Sequence, residues 1–305
     1  LRADWLLLLG KLSDWSNFAA EYPLYRMRDD REIACLHRLN SFHQAGQKLS
    51  NEAVAEVRDN WWRLRQKDDG CLVAIKDLYA AKLISANDIW RKVRLAVEFN
   101  RPETARQALM LVDPKGENSL KAVFRDPMAF LKSSPKASGE WLTLAIARAS
   151  RPNTEAAANW LKANAQRLTS SQRNWAWGAL GREAAMDLSD KAVSHFGEVT
   201  QASDLNDEML AWQARAALRQ SGSPLWPVVL TAIEAMSPEA QRDPTWVYWY
   251  ARTLMALHPK SEDPAQTKAR GLFQRIAGPD GFYEQLALHA LGQSVVVVER
   301  PPAPT

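Results

Sequence analysis

Five aromatic residues in the second half of the 305-residue chain recur at a nearly constant interval, and this repeat constrains the fold more than any other feature. They are Trp141, Trp175, Trp212, Trp246 and Tyr283, separated by 34, 37, 34 and 37 residues. Each begins an apolar segment with helical periodicity. About 34 residues is the length of a helix–turn–helix unit that cannot bury its apolar face alone, so such units stack and share a core. The spacing predicts an α-solenoid.

Composition agrees with an all-α fold. Hydrophobic residues make up 46% of the chain and charged residues 24%, which is typical of globular proteins and excludes a disordered chain. Strand-like alternation is nearly absent, and a β-branched run at 295–298 lies just before the proline-rich end. We therefore predict an all-α protein built from TPR-like helical hairpins.

Proline, glycine and capping residues mark the expected helix boundaries. Pro244 suits the first position of a helix over 244–257, and Thr154 is predicted to cap a helix over 155–167. The segment 133–139 is predicted to be a loop between hairpins and not a domain boundary. The other predicted helices span 30–45, 50–65, 70–83, 88–99, 101–112, 140–149, 174–186, 190–200, 207–220, 225–236, 265–276 and 282–291.

Most tryptophans are predicted to be core wedges between repeats, because small residues accompany them at helical spacing. One of Trp61 and Trp62 is a candidate for exposure, where an indole could stack on a sugar ring or a partner protein.

The charge distribution disfavours nucleic acid as a partner. The net charge is +4, and cations alternate with acids along helices, as in Arg91, Lys92 and Arg94 followed by Glu98, a pattern typical of a solvated face. No dense basic block or recognition motif accompanies the charge, although a mild excess suits an anionic polymer such as a cell wall.

No apolar stretch reaches the ~18–20 residues of a membrane span, and the leucine run at 6–9 is predicted to lie in a core helix. The chain starts without Met inside a predicted helix, so we expect a processed or trimmed piece of a longer protein.

Two cysteines, Cys35 and Cys71, leave two alternatives open. They can be inert buried thiols, or a disulfide between neighbouring hairpins if the compartment is oxidising. A metal site is not favoured, because no paired histidines lie nearby.

No constellation of catalytic, cofactor-binding or metal-binding residues is found. The sequence has no HExxH, CxxC, P-loop or nucleophile elbow, and the acidic doublets at 29–30 and 68–69 are predicted to be caps or solvated loop residues. Two histidines six residues apart do not share a helical face, and the other three are predicted to be lone surface or hydrogen-bonded side chains. These five are His37, His43, His195, His258 and His289.

Three motifs resemble the superhelical (U-type) domain of soluble lytic murein transglycosylases. They are LRADWL at 1–6 followed by Asp14-Trp15, DPTWVYWY at 243–250, and GFYEQLA at 281–287 with Leu291-Gly292. The last is similar to a GFYGxLA…LG signature of that family. Glu284 stands where the family often has glycine, so we expect local packing to differ there.

The resemblance implies a right-handed superhelix, horseshoe or ring shaped, in a periplasmic protein. It implies a superhelical domain over 1–293 and the start of a linker at 294–305. In the family a separate lysozyme-like domain cleaves the glycan strand of peptidoglycan and forms a 1,6-anhydro product, using the Glu of a Glu-Ser motif. No Glu-Ser pair occurs in this sequence, so no catalytic residue is assigned, Glu284 included. An oxidising periplasm also favours a Cys35–Cys71 disulfide.

These expectations define the function hypotheses. The first is a non-catalytic scaffold that binds or orients peptidoglycan glycan strands, without a cofactor and with cell-wall proteins as further candidate partners. The alternative is a free-standing TPR-like adaptor that binds proteins. A self-contained helical enzyme is disfavoured, since no catalytic constellation is found.

Overall fold

The computed structural model describes residues 1–66 and 68–294, and these residues form eighteen α-helices, four short 3₁₀ turns and no strand. The predicted all-α architecture is confirmed. Contacts divide the chain into two compact units, Leu1–Ala149 and a second that begins at Ser150.

The first unit contains ten helices. Helix α3 packs against both α4 and α5, and α6 packs against α7 and α10. The ranges are α1 Arg2–Lys11, α2 Trp15–Glu21, α3 Arg31–Gln44, α4 Asn51–Arg63, α5 Gly70–Ala80, α6 Ala86–Glu98, α7 Pro102–Val112, α8 Glu117–Arg125, α9 Pro127–Ser133 and α10 Gly139–Ala149.

The second unit contains eight helices that stack as hairpins. The ranges are α11 Thr154–Asn164, α12 Ser170–Met186, α13 Lys191–Gly197, α14 Asp207–Leu218, α15 Trp226–Ala235, α16 Pro244–Leu257, α17 Pro264–Ile276 and α18 Phe282–Ala290. Helices α12, α14 and α16 each pair with the helix that follows, and α12 also contacts α14 while α15 contacts α16. This is the stacking of neighbouring hairpins that the aromatic repeat predicts.

Local sequence explains most helix starts. Helix α16 begins and ends at the predicted residues, with Asp243 accepting the Thr245 amide at 2.8 Å. For α11 the predicted cap is wrong by one residue, since Asn153 and not Thr154 is the cap, and the helix ends at Asn164 instead of at the predicted residue 167. Asn153 accepts the Ala156 amide at 2.9 Å, while the Thr154 hydroxyl donates to the Ser150 carbonyl. Asn is a preferred N-cap because its carbonyl oxygen reaches the free amides of the first turn.

Two short helices, α8 and α9, occupy a region where the sequence analysis placed none. Their lengths are nine and seven residues, too short for a periodic pattern to stand out. Asp126 ends α8 and caps α9 by accepting the Ala129 amide at 2.9 Å.

The five aromatic residues of the repeat are buried in the core to different degrees. Trp175 is fully buried, and Trp141 and Trp246 are 8% and 7% exposed. Trp212 and Tyr283 are only half-buried. The third and fifth anchors therefore reach the surface of the second unit.

Candidate functional site

A disulfide joins α3 to α5. The Sγ atoms of Cys35 and Cys71 lie 2.01 Å apart, and both residues are fully buried. The side chain of Glu32 supports the same junction, because its Oε2 accepts the amides of Asp69 and Gly70 at the start of α5. The disulfide and the two hydrogen bonds to Glu32 therefore hold α3 and the start of α5 together.

The prediction that the charged residues around Lys92 form a solvated helix face is wrong. Lys92 is 1% exposed, Arg94 6% and Glu98 2%, because α6 contacts α4, α7 and α10. Lys92 Nζ donates to the carbonyls of Trp61 and Leu64, which are free acceptors at the C-terminal end of α4. The buried ammonium thus caps a helix end from a neighbouring hairpin.

Asp68 is the buried acid near this lysine. Burial raises the pKa of Asp68 to about 6, against the opposing effect of the Lys92 charge. Burial lowers the pKa of Lys92 to about 8, and Asp68 opposes that change. Asp68 Oδ1 accepts the Leu72 amide at 3.0 Å, so the carboxyl stabilises the first turn of α5.

The other acidic doublet is also structural. Asp29 accepts the Tyr25 hydroxyl at 2.5 Å, and this hydrogen bond is the largest cause of a raised pKa for Tyr25. Asp30 caps α3 by accepting the amides of Glu32 and Ile33. The sequence prediction of caps is confirmed for Asp30.

Four histidines lie at separate places. His37 stacks on the Tyr22 ring, with centroids 3.8 Å apart, and burial lowers its pKa. His43 Nε2 lies 3.2 Å from Asp77 Oδ2, and His258 Nδ1 lies 2.9 Å from Asp263 Oδ2. His289 is exposed. Each of the pairs is local to one turn or one helix junction.

His195 does not lie at the surface, which was one of the two predicted environments. It is 7% exposed, its ring stacks near Trp177 with centroids 5.7 Å apart, and its Nε2 has no hydrogen-bond partner among the described residues. Burial lowers the pKa of this imidazole, with help from the charges of Lys162 and Lys191. The ring is therefore buried and not at the surface, and its Nε2 is unpaired among the described residues.

Neither Trp61 nor Trp62 provides an open platform for a sugar ring. Trp61 is 1% exposed. Trp62 donates its indole N–H to the Asp88 carbonyl at 2.9 Å, and the guanidinium groups of Arg58 and Arg91 lie 4.8 and 4.9 Å from its ring centroid. The sequence could not show that arginines from two helices meet on this indole.

A cation held by two aromatic anchors lies on the surface of the second unit. The Arg215 guanidinium lies 4.9 Å from the Trp212 ring centroid and 5.2 Å from that of Trp246. Trp212 and Arg215 share a face of α14, three residues apart, whereas Trp246 belongs to the next hairpin. Arg215 is exposed, so the repeat brings two indoles together beneath one solvent-facing cation. We call Trp212, Arg215 and Trp246 the arginine cradle.

A second cation–aromatic group lies farther along α16. The Lys268 Nζ is 3.0 Å from the Tyr250 hydroxyl and 4.9 Å from the ring centroid, and that hydroxyl is also 3.0 Å from Glu234 Oε1. The Trp249 indole N–H lies 3.4 Å from the Tyr283 hydroxyl. These contacts connect α15, α16, α17 and α18, and unlike Arg215 the lysine has a hydrogen-bonding partner.

Glu284 has a structural place at the start of α18. It lies in the first turn of the helix, where a carboxylate complements the helix dipole. A side chain at Gly281 would meet the Glu284 carboxylate, because a Cβ there would overlap Oε2. Glycine at 281 therefore leaves room for the Glu284 carboxylate, and a packing difference from the family at this position stays a prediction.

The described residues contain no cluster of three or more His, Cys, Asp or Glu side chains suited to a metal ion. None of the described helices has the length and apolar content needed to span a bilayer.

No protein-family model matches the chain, and no curated protein sequence matches it. Among solved structures, an inactive mutant of the lytic transglycosylase Slt from Pseudomonas aeruginosa aligns over 97% of this chain and 47% of its own, with 20% identity and a TM-score of 0.50. The 70-kDa soluble lytic transglycosylase SLT70 from Escherichia coli aligns over 99% of this chain and 49% of its own, with 16% identity and a TM-score of 0.45. A complex of the 70-kDa soluble lytic transglycosylase with bulgecin A aligns over 99% of this chain and 49% of its own, with 15% identity and a TM-score of 0.43.

The chain spans about half the length of the structures it matches. At 20% identity, the similarity to Slt concerns the fold. The resemblance indicated by the three sequence motifs is thus confirmed at that level: almost the whole chain has the helical fold of part of a lytic transglycosylase.

Proposed function

We propose that this chain is the non-catalytic helical scaffold of a periplasmic lytic transglycosylase. It binds or orients peptidoglycan glycan strands for a lysozyme-like domain that is not present in this sequence. The observation that carries the proposal is the similarity to Slt over 97% of the chain. The exposed arginine cradle adds a surface of suitable chemistry, since glycan strands offer both apolar sugar faces and anionic groups.

The proposal includes the domain organisation implied by the resemblance. Residues 1–293 form the superhelical domain and 294–305 begin a linker, although 295–305 lie outside the described residues. A periplasmic location also suits the buried Cys35–Cys71 disulfide, because such bonds persist in oxidising compartments.

Retention on purified sacculi tests the binding part of the proposal. We expect the native chain to cosediment with sacculi at low salt and to be released as salt rises, because screening weakens contacts between exposed charges. Bovine serum albumin serves as the matched non-binding control. Recovery of the chain in the supernatant at low salt would remove the binding role.

Absence of lytic activity tests the scaffold part. On a peptidoglycan zymogram we expect no cleared zone from this chain, while hen lysozyme on the same gel clears its lane. A cleared zone at the chain's mass would show a catalytic group in these 305 residues and would refute the assignment as a scaffold.

A protein-binding adaptor remains the second candidate, and one surface favours it. Trp5, Leu8 and Leu12 lie on one face of α1 or at its end and are 45%, 43% and 66% exposed. Such an apolar stripe is a common protein contact. If Trp5→Glu abolished a protein interaction while sacculus binding stayed unchanged, the adaptor role would be supported.

A further inference from the structure

We infer that the arginine cradle is an oxyanion-binding site, and that its ligand is a carboxylate carried by a glycan strand. The inference deepens the proposed function, on which it rests for the identity of the polymer.

The first step of the argument is the position of the guanidinium. It is held over Trp212 and Trp246, 4.9 and 5.2 Å from their ring centroids. A guanidinium that stacks on aromatic rings keeps its N–H groups directed outward in its own plane. The two indoles thus reduce the conformational freedom of the side chain before any ligand arrives, which lowers the entropy lost on binding.

The second step is that these donors are unused. The Arg215 side chain makes no hydrogen bond and no ion pair with any residue that the structure describes, and it is exposed to solvent. Lys268 and Arg58 differ in this respect, because Lys268 contacts the Tyr250 hydroxyl and Arg58 pairs with Asp59. A positioned guanidinium with free donors matches a carboxylate, which accepts two parallel N–H bonds.

The third step is a second cation at the end of the same helix. Arg219, the C-cap residue of α14, follows Arg215 by four residues, and its Nη1 lies 3.4 Å from the Ala185 carbonyl. Two like charges at this spacing at the end of a helix repel each other. An anion bound at Arg215 would relieve that repulsion.

The glycan strand supplies the anion. Every second sugar of peptidoglycan carries a lactyl ether whose carboxyl is free once the peptide is removed, and peptide stems end in carboxylates. A chitin strand has the same type of backbone without these groups. The comparison of the two polymers therefore isolates the carboxylate.

The test is a titration of the native chain at low salt with peptide-free glycan strands and with chitin oligosaccharides of equal length. We expect the carboxylated strand to bind about tenfold more tightly, the effect of one charge-assisted hydrogen-bonded contact. Arg215→Met keeps an apolar side chain over the indoles and should abolish that preference. Arg215→Lys keeps the charge but not the planar fork and should recover only part of it.

Arg270→Met is the matched control, since it removes one exposed positive charge from α17 of the same unit. It should retain the preference, and circular dichroism melts should show that all variants are folded. If Arg215→Met binds the carboxylated strand as tightly as the native chain, the site assignment is wrong while the scaffold role stands. If the native chain binds neither polymer nor sacculi, the proposed function fails, and the glycan ligand fails with it.

A phosphodiester polymer is the other source of oxyanions. Poly(glycerol phosphate) should bind more weakly than the carboxylated strand. Tighter binding of that polymer, lost in Arg215→Met, would assign the site to phosphate and overturn the carboxylate ligand.

Discussion

At the scale of single residues, the sequence shows where charges occur but not which of them are buried. Lys92 lies in a run of alternating cations and acids that is typical of an exposed face, yet it caps α4 from inside the first unit. The difference arises because α6 contacts helices on several sides, and a single helix pattern carries no information about neighbours that are distant in sequence.

Asp68 should make the stability of the chain depend on pH. Its pKa is raised to about 6, so between about pH 4 and pH 6 the folded chain holds a proton that the unfolded chain has lost. The free energy of unfolding therefore falls as pH rises through this window, by up to about 3 kcal/mol from this group. Urea unfolding of the native chain and of Asp68→Asn at pH 4, 5, 6 and 7 measures the difference.

We expect the native chain to lose stability relative to Asp68→Asn as pH rises from 4 to 7. Asp187→Asn, which alters an exposed carboxyl at the end of α12, should show no comparable trend. A constant difference between the native chain and Asp68→Asn across the four pH values would contradict the burial of this carboxyl.

At the scale of secondary-structure elements, two helical glycines should respond in opposite directions to substitution by alanine. Gly181 in α12 faces the Phe196 ring, and a Cβ there would lie 2.8 Å from two ring carbons. Gly271 in α17 has open space around it. Alanine favours a helix over glycine by about 0.5–1 kcal/mol. Packing around the added methyl group therefore decides whether each substitution raises or lowers the free energy of unfolding.

Gly181→Ala should lower the free energy of unfolding by about 1–3 kcal/mol, the usual effect of overpacking a core. Gly271→Ala should raise it by about 0.5–1 kcal/mol. Denaturant unfolding of both variants provides the measurement. Equal stabilisation by the two substitutions would mean that α12 and α13 do not approach each other as closely as the structure places them.

The disulfide also acts at this scale, since it joins α3 and α5 across a separation of 36 residues. In the chain-entropy account, closing a loop of that size stabilises the folded state by about 3–4 kcal/mol. The Cys35→Ala, Cys71→Ala double variant should lose stability of that order, and the native chain should show no free thiol when denatured without reductant. Two reactive thiols in that assay would disprove the bond.

Sequence reasoning predicted the elements with strong end signals and missed those that depend on distant contacts. Helix α16 has Pro244 at its start and an apolar stripe along its length, and its bounds were predicted to the residue. Helices α8 and α9 are short and were not predicted. The arginine cradle was not predicted either, because Trp212 and Trp246 are 34 residues apart and only their stacking reveals the shared cation.

At the scale of the whole molecule, the two compact units should differ in their response to reduction. The disulfide and its supporting contact from Glu32 lie within Leu1–Ala149. In stacked helical repeats each hairpin contacts mainly its neighbours, so a local loss of stability spreads only over a few repeats. Reduction should therefore weaken the first unit without weakening the far end of the second.

Hydrogen exchange read by mass spectrometry tests this expectation directly. After reduction, amides of α3, α4 and α5 should exchange faster, whereas those of α14 and α16 should keep their protection. The Cys35→Ala, Cys71→Ala variant should give the same pattern without reductant, which separates loss of the bond from other effects of the reagent. Uniform acceleration along the chain would instead mean that all the repeats unfold as one cooperative unit, because local opening could then not occur without global unfolding.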